Sequence, residues 1–437
     1  MKKKLKLLSL VCLINIAGFS QMPVKLSVEE AIQIAVEKNF DVVIEKNAQQ
    51  IGKINNNWGN AGAYPAIGIN STLSIASNNL EQKLSNGTTI QRNGAILRNI
   101  NAGFAVSWRI FDGMRMFATK KRLEELETIG ELTFRRQINA TVFDVIAAYY
   151  QIVQLNQQKK AFQETIKFFE ERKQIAESRF TIGTAPKTDF LQAQVDLNQQ
   201  KASLLSIENS VRVAKANFNN LLSRTPETAF DVQEVIQPDA TISFASLQQK
   251  SQTDNYDLLL AQSSLSVLVQ QKREIISQRL PSVTLNGNYN FAQSKNDAGF
   301  TLSNRNIGPN GNIGVAIPIF QGGNIRRQER VADINIKNQQ IVIDQLKNQV
   351  STSLVSAYYN FQNAVNLVEL EKSTLLLIQE NNVIATERFR KLAITSLELR
   401  QVQIDYINGQ TRYINALYMA KLAEAEMKLL AGDLSRL

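Results

Sequence analysis

No histidine occurs among the 437 residues of this chain, and there is a single cysteine. The first absence removes the commonest general base and the commonest metal ligand. The cysteine, Cys12, lies in a stretch read below as a cleaved leader. The mature chain is therefore expected to carry no thiol, disulfide or zinc–thiolate site. Aromatic residues make up only 7% of the chain and charged residues 20%, against a hydrophobic fraction of 44%. Glutamine and asparagine are abundant, which suits long helices with wet, mostly uncharged faces better than a compact enzyme core. No segment after the leader approaches about eighteen consecutive apolar residues, so no transmembrane helix is expected. No nucleophile is paired with a base and no glycine-rich loop cradles a phosphate; Gly322-Gly323 reads as a turn. The net charge is +10. Four of those charges, Lys2, Lys3, Lys4 and Lys6, leave with the leader, and the rest are scattered among acids. A nucleic-acid surface needs clustering. The inventory speaks against an enzyme, a metal or cofactor site and a nucleic-acid partner.

Residues 1–20 read as a secretory signal. Lys2-Lys3-Lys4 supplies the basic start, Leu7 to Phe19 the short apolar run, and Gly18-Phe19-Ser20 the small residues before a cut that leaves Gln21 at the new N-terminus. Val11 stands where a lipoprotein signal needs a small residue before Cys12.

One stretch occurs twice. Arg109-Ile110-Phe111-Asp112-Gly113 returns as Pro318-Ile319-Phe320-Gln321-Gly322, 209 positions on. The same offset carries Ala148-Tyr149-Tyr150 onto Ala357-Tyr358-Tyr359, Arg179-Phe180 onto Arg388-Phe389, and Gln194 and Asp196 onto Gln403 and Asp405. A period this long is not a solenoid unit. It predicts two copies of one large unit: a first repeat over 21–224, a linker over 225–242, a second repeat over 243–432 and a tail over 433–437.

Each copy is expected to open with a helix of about 37 residues, from Ser27 and from Ser243, stopped at Tyr64-Pro65 and at Leu280-Pro281. Strands follow. Ile67, Ile69, Leu73 and Ile75 alternate with small or polar residues. After an asparagine-rich loop from about Ser77 to Asn99, so do Ile100, Ala102, Phe104, Val106, Trp108 and Ile110. The second copy alternates Val283, Leu285, Gly287, Tyr289 and Phe291. Its loop carries Gly308-Pro309-Asn310-Gly311, and Ile313, Val315, Ile317 and Ile319 form its return strand. Strands of ten to twelve residues with one apolar side fit an outer-membrane sheet, and equally an ordinary half-buried hairpin.

The helices decide between these. From Met114 to about Thr181 there is no proline, and apolar residues recur in steps of three and four: Ile138, Val142, Val145, Tyr149, Ile152, then Phe162, Ile166, Phe169, Ala176, Phe180. Leu375, Ile378, Ala385 and Phe389 keep the later phase in the second copy. A helix of roughly 65–70 residues spans about 100 Å, a length improbable in a globular domain. A turn at Gly183-Thr184-Ala185-Pro186 then sends back a helix of about 36 residues. Four strands per chain cannot close a barrel, and open edges are not tolerated in lipid. Several chains must contribute: two give eight strands and three give twelve.

Over essentially its whole mature length the chain resembles the TolC-like outer membrane efflux protein family. The resemblance rests on the duplicated layout, the helix–proline–strand entries at Pro65 and Pro281, and the Phe-x-Gly exits at Phe111–Gly113 and Phe320–Gly322. Its most specific part is the hairpin tip, which in the family often reads Arg-Tyr-x-x-Gly-x-x-Ser-x-x-Asp/Glu. Here the tips are Arg179-Phe180-x-x-Gly183-x-x-Pro186-x-x-Asp189 and Arg388-Phe389-x-x-Leu392-x-x-Thr395-x-x-Glu398. The resemblance implies an α+β membrane protein with an internal two-fold structural repeat. Long antiparallel helical hairpins would form a periplasmic α-barrel, and four β-strands per chain would join a trimeric twelve-stranded β-barrel in the outer membrane of a Gram-negative bacterium. It implies a passive exit duct of a tripartite efflux pump or type I secretion system. The implied partners are two further copies of the chain, outer-membrane lipid, a periplasmic adaptor (membrane fusion) protein and an inner-membrane pump of RND or ABC type. An exported coiled-coil protein with a structural or assembly role is the alternative.

The same resemblance places adaptor docking at Arg179, Phe180, Gly183, Arg388, Phe389 and Thr395, and an aperture near Glu398, Asp405 and Asp189. Glu398 either forms a pore-narrowing ring of three carboxylates or caps the first turn of its helix, where an acid is favoured; for Asp189 capping fits better. Arg179 and Arg388 either bridge to a neighbouring chain or stabilise the ends of their own helices. Trp108, Phe104, Tyr289 and Phe291 fit an interfacial girdle or ordinary packing. Three departures stand out. Leu392 replaces the tip glycine, so the second tip is expected to turn differently. Gln401 stands where relatives often carry a further acid. Phe40 and Tyr256 follow Asn39 and Asn255 where the family usually has proline.

Overall fold

The computed structural model describes residues 24–239 and 241–434. The expected leader, with Cys12, and the last three residues of the expected tail lie outside them.

The chain opens with strand β1 (Val24–Leu26), then helices α1 (Val28–Lys38) and α2 (Phe40–Asn55). Strands β2 (Ala66–Lys83) and β3 (Thr89–Asp112) lead into the 68-residue α3 (Arg115–Ile182), and α4 (Lys187–Leu221) returns from it. A short β4 (Phe230–Val232) precedes α5 (Phe244–Thr253) and α6 (Tyr256–Ser277). Then come β5 (Ser282–Asn296), β6 (Ser303–Ala316), the 67-residue α7 (Asn324–Arg390) and α8 (Ser396–Leu430). Among the described residues no helix is long and apolar enough to cross a membrane.

The helix expected from Ser27 to Ala63 is two helices, and so is the one expected from Ser243. Asn39 breaks the first run with an extended ψ of 132°, and its side-chain oxygen accepts from the N–H groups of Asp41 and Val42 at 3.0 and 3.3 Å. Asn255 does the same for Asp257 and Leu258, at 3.1 Å each. Asparagine is among the strongest N-caps. A cap of this kind starts a new helix without interrupting the apolar pattern that hid the break. At Ser27 a reciprocal capping box forms with Glu30.

Two compact units can be distinguished. One comprises the chain up to Ala35, Val145–Pro238 and Val365–Lys421; the other comprises Val36–Asp144, Asp239–Ala364 and the chain from Leu422. The first has a core of Ala31, Ala35, Val145, Tyr149, Ile152, Phe218 and Leu222, closed by Phe230 and Val232. Strands β1 and β4 pair in parallel, Val24 opposite Phe230 and Leu26 opposite Val232. The segment expected as a linker thus contributes a strand to this core. The Tyr149 hydroxyl donates to the Leu26 carbonyl and accepts from the Gln233 N–H, both at 2.9 Å.

The second unit holds a four-stranded antiparallel sheet in the order β2-β3-β5-β6. Its strands are longer than the alternation suggests. Residues expected as loop, Ser77 to Asn99, mostly continue the β2–β3 ladder, and the reversal is confined to Leu84–Thr88 around Gly87, whose φ is +87°. Apolar alternation reports where a strand is covered. The ladder itself needs only backbone donors and acceptors, which asparagine and serine leave intact. Gly308-Pro309-Asn310-Gly311 likewise lies inside β6, with Pro309 opposite Tyr289. Proline cannot donate to a ladder and is tolerated on an edge strand, and β6 is an edge. The return strand ends at Ala316, before Pro318, so Ile317 and Ile319 are outside it.

Candidate functional site

The residues singled out in the sequence fall in two regions: the sheet with its helix junctions, in one unit, and the helix-hairpin tips, in the other.

The register gathers the alternating apolar side chains on one face of the sheet. Ile69 lies opposite Phe104, Phe104 opposite Tyr289, and Tyr289 opposite Pro309. Ile67 with Val106, Leu73 with Ile100, Trp108 with Leu285 and Leu285 with Ile313 extend the same rows. This face has no cover in the protomer: Ile69 is 81% exposed, and Leu73, Ile75 and Ile313 are each about two-thirds exposed. Large contiguous apolar patches mark interaction surfaces or membrane contact. Both edge strands, β2 and β6, have one free side. Such edges template pairing with another chain.

The junctions are tightly made. Gly113, between β3 and α3, has φ +71°. A Cβ there would lie 2.3 Å from the Ser277 carbonyl oxygen and 2.8 Å from the Leu280 Cβ. Only glycine fits both the backbone angle and the contact. Phe111 beside it is partly buried. At the matching junction before α7, Gly322 has φ +60° with open space around it, and Phe320 is 84% exposed. Pro65 and Pro281 each stand directly before a strand, β2 and β5.

At the first tip the Gly183 N–H donates to the Phe180 carbonyl at 3.0 Å and the Thr184 N–H to the Arg179 carbonyl at 2.9 Å. With Gly183 at φ +84°, this is the Schellman pattern that closes a helix C-terminus. The second tip was expected to turn differently and does not. The Leu392 N–H donates to the Phe389 carbonyl at 3.1 Å and the Ala393 N–H to the Arg388 carbonyl at 2.8 Å, with Leu392 itself at φ +63°. The hydrogen bonds that end α7 hold a leucine in the left-handed region, against its steric preference.

Arg179 reaches across from α3 to the end of α7. Its guanidinium donates to the Phe389 carbonyl and lies over the Phe389 ring, 4.3 Å from the centroid. Phe389 is buried with Ala385 and Leu399, flanked by Ile175, Ile394 and Val402. Arg179 therefore caps the helix of the other hairpin rather than its own. Arg388 is exposed and makes no ion pair among the described residues. Phe180 is 40% exposed. Thr395 and Glu398 form a capping box at the start of α8: the Thr395 N–H donates to Glu398 Oε2 at 2.8 Å and the Glu398 N–H to Thr395 Oγ1 at 3.2 Å. Glu398 remains exposed, as does Asp405, which accepts from Gln401 at 2.9 Å. Asp189 stands apart from these, in the first turn of α4.

Sequence reasoning missed the polar cluster behind the tips. Arg172, only 1% exposed, pairs with Asp196, which also accepts from Arg400 at 3.1 Å and from Gln192 at 2.9 Å. Burial pulls the Arg172 guanidinium below the ordinary arginine range; the Asp196 hydrogen bond and charge oppose this, and the Arg400 charge adds to it. Gln403 donates to the Phe168 carbonyl at 3.3 Å. The cluster ties α3, α4 and α8 together. A second tie joins α7 to α3: Arg390 donates to Glu171 at 2.8 Å, and that carboxylate holds its guanidinium above the ordinary range. The signal available in the sequence was Gln194 and Asp196 matching Gln403 and Asp405, but nothing marked Asp196 as buried and Asp405 as exposed.

Residues 32–224 match the outer membrane efflux protein family. Protein CyaE of Bordetella pertussis is 22% identical over 364 residues, 81% of this chain and 76% of that protein. The outer membrane protein TolC of Escherichia coli is 19% identical over 355 residues, 78% of this chain and 71% of its own length. The solved structure of CusC, described in terms of folding and transmembrane channel formation, superposes with a TM-score of 0.76 at 16% identity. It covers 96% of this chain and 95% of its own. The match of residues 32–224, relatives over most of the length and a shared fold agree with the uncovered sheet and the hairpin tips: the chain is similar to the TolC-like outer membrane efflux proteins.

Proposed function

We propose that the chain is one third of a trimeric, passive exit duct that carries substrates from an inner-membrane pump across the periplasm and outer membrane. The observation that carries this is the sheet: four strands, one continuous apolar face without cover, and two free edges. Lipid satisfies the face, and only pairing of β6 of one copy with β2 of the next satisfies the edges. Three copies give twelve strands, wide enough to begin leaving a lumen, where two would give a barrel filled by side chains. The two β-hairpin-and-long-helix halves of the chain act as an internal repeat, so the three chains supply six equivalent hairpins on each side. The three copies' long helices line the periplasmic part as an α-barrel.

The tips are the periplasmic end of the duct. Exposed Phe180, Arg388 and Thr395, with the backbone turns at Gly183 and Leu392, offer the adaptor protein its docking edge; Arg179 and Phe389 hold that edge together from behind. Glu398 serves its helix through one carboxylate oxygen, and three copies round the axis form a cation-attracting ring at the aperture, assisted by Asp405. The pump, of RND or ABC type, selects the cargo. A duct of this kind binds no cofactor and performs no chemistry.

Oligomeric state separates this reading from an exported structural protein. Unheated protein from the outer-membrane fraction is expected to migrate in SDS as a trimer and to fall to monomer on boiling. A monomer, or an assembly with a two-fold rather than three-fold number of chains, would contradict it.

A further inference from the structure

At the foot of the sheet, between the start of α3 and the end of α6, lies a cavity of about 380 Å³. Its walls are largely apolar, formed chiefly by Met114, Phe117, Ile276 and Leu280, and its two charged lining residues, Lys121 and Arg273, are both cations. Neither makes an ion pair among the described residues; Arg273 only donates to Gln270, at 3.2 Å. The volume falls in the roughly 300–1,000 Å³ range of small-ligand sites.

Its surroundings fix the level at which it sits. The chain has two tryptophans, and both are here. The Trp58 ring packs edge-on against Phe117, a wall of the cavity, at 5.7 Å. Trp108 Nε1 donates to the Ala63 carbonyl at 2.9 Å, just before β2 begins. Tyr64, beside it, is 65% exposed. Tryptophan and tyrosine gather where hydrocarbon gives way to headgroups. The two charged residues that line the cavity are joined by further cations at the starts of α3 and α7. Neither α3 nor α7 has an acid inside its first turn, where one is favoured, though Asp112 just before α3 accepts from the Met116 N–H at 3.1 Å. Arg115 opens α3, and Arg326 and Arg327 follow the first two residues of α7.

We propose that this cavity binds an anionic phospholipid of the periplasmic leaflet, with acyl chain against Met114, Phe117, Ile276 and Leu280 and phosphate held by Lys121 and Arg273. The inference rests on the sheet spanning the membrane. A lipid is favoured over a soluble anion because most of the lining is apolar, and over an apolar segment of a second copy because the rim carries two cations. Cations near such a surface contribute about 1 kcal/mol each toward anionic lipid, so the pair corresponds to a preference of roughly tenfold or more over a zwitterionic lipid.

The test uses tryptophan quenching by brominated acyl chains, since both tryptophans lie at this level. The full chain is reconstituted in phosphatidylcholine vesicles containing a small fraction of brominated phosphatidylglycerol or brominated phosphatidylcholine. Wild type is expected to be quenched at about tenfold less brominated phosphatidylglycerol than phosphatidylcholine, and Lys121→Gln with Arg273→Gln to bring the two within twofold. Equal quenching by both lipids in wild type, the result if a second copy fills the cavity, overturns the proposal. So does a preference that survives both substitutions. A chain that never enters the vesicles, and is quenched by neither, overturns the membrane reading as well.

Discussion

Leu392 shows how a residue departs from its preference when its neighbours decide. The left-handed conformation costs a non-glycine residue about 1 kcal/mol, yet the paired hydrogen bonds at the end of α7 hold Leu392 there. Leu392→Gly is therefore expected to stabilise the second tip by up to about 1 kcal/mol, read as an approximately fivefold slower hydrogen exchange of the Ala393 amide. Unchanged or faster exchange would mean that the leucine side chain contributes more than its backbone costs. Tyr149 makes the opposite case, a residue whose role is set by burial. Its hydroxyl serves Leu26 and Gln233. Burial raises its pKa above the phenol's ordinary value, partly opposed by the Gln233 N–H and slightly assisted by the charges of Glu29 and Glu30. The folded state thus holds this proton more tightly than the unfolded chain. Its contribution is complete below the ordinary value of about 10 and is lost as pH rises through the higher folded value. Tyr149→Phe should cost about 1–3 kcal/mol at neutral pH by leaving the buried Leu26 carbonyl and the part-buried Gln233 N–H without this partner. It should also flatten the fall in stability above about pH 10, which denaturation at a series of pH values would show; an unchanged alkaline slope would assign that fall to other groups.

At the scale of elements, the buried Arg172–Asp196–Arg400 cluster is the strongest tie between helices behind the tips. Removing one partner of a buried pair is costly because the other charge stays buried. Arg172→Met is expected to destabilise this region by about 2–3 kcal/mol, below the usual range for such a loss because Arg400 still faces Asp196. Adding Asp196→Leu should restore most of it, and a double-mutant cycle followed by hydrogen exchange in α4 would reveal additivity if the pair were not coupled. The long helices were legible because 3.6-residue periodicity and freedom from proline report directly on backbone form. Other features were hidden for physical reasons. The breaks at Asn39 and Asn255 keep the apolar phase on both sides. The halves of β2 and β3 next to their connecting turn mix polar and apolar residues without strict alternation, so the pattern ended long before the hydrogen-bonded ladder did. The duplicated motif drew attention to Gln403 and Asp405, while the buried charge it partly encodes sits on Asp196, where only the packing of α3, α4 and α8 reveals it.

For the whole molecule, the fold was legible from a conjunction: a Phe-x-Gly junction at Gly113, a proline before each hairpin, and helices too long for a globular domain. None of these is specific alone. The candidate sites were less legible, because the tip residues proposed to act at the aperture also serve helix ends within the chain. Glu398 caps α8 and is also proposed to face the aperture, and Arg179 caps the end of α7, a contact within the chain that the sequence does not mark. Assembly is where those roles separate, and conduction is its most direct readout. The deciding measurement is single-channel conductance of purified trimers in a planar bilayer, for wild type and for Glu398→Gln. The account predicts discrete, cation-selective steps in wild type and a loss of cation preference in the variant, both weakened at high salt as the carboxylate field is screened. Steps unaffected by the substitution would remove the acidic ring and leave the duct. Trimers shown to be inserted that carry no current, with Glu398 or without it, would contradict the central claim.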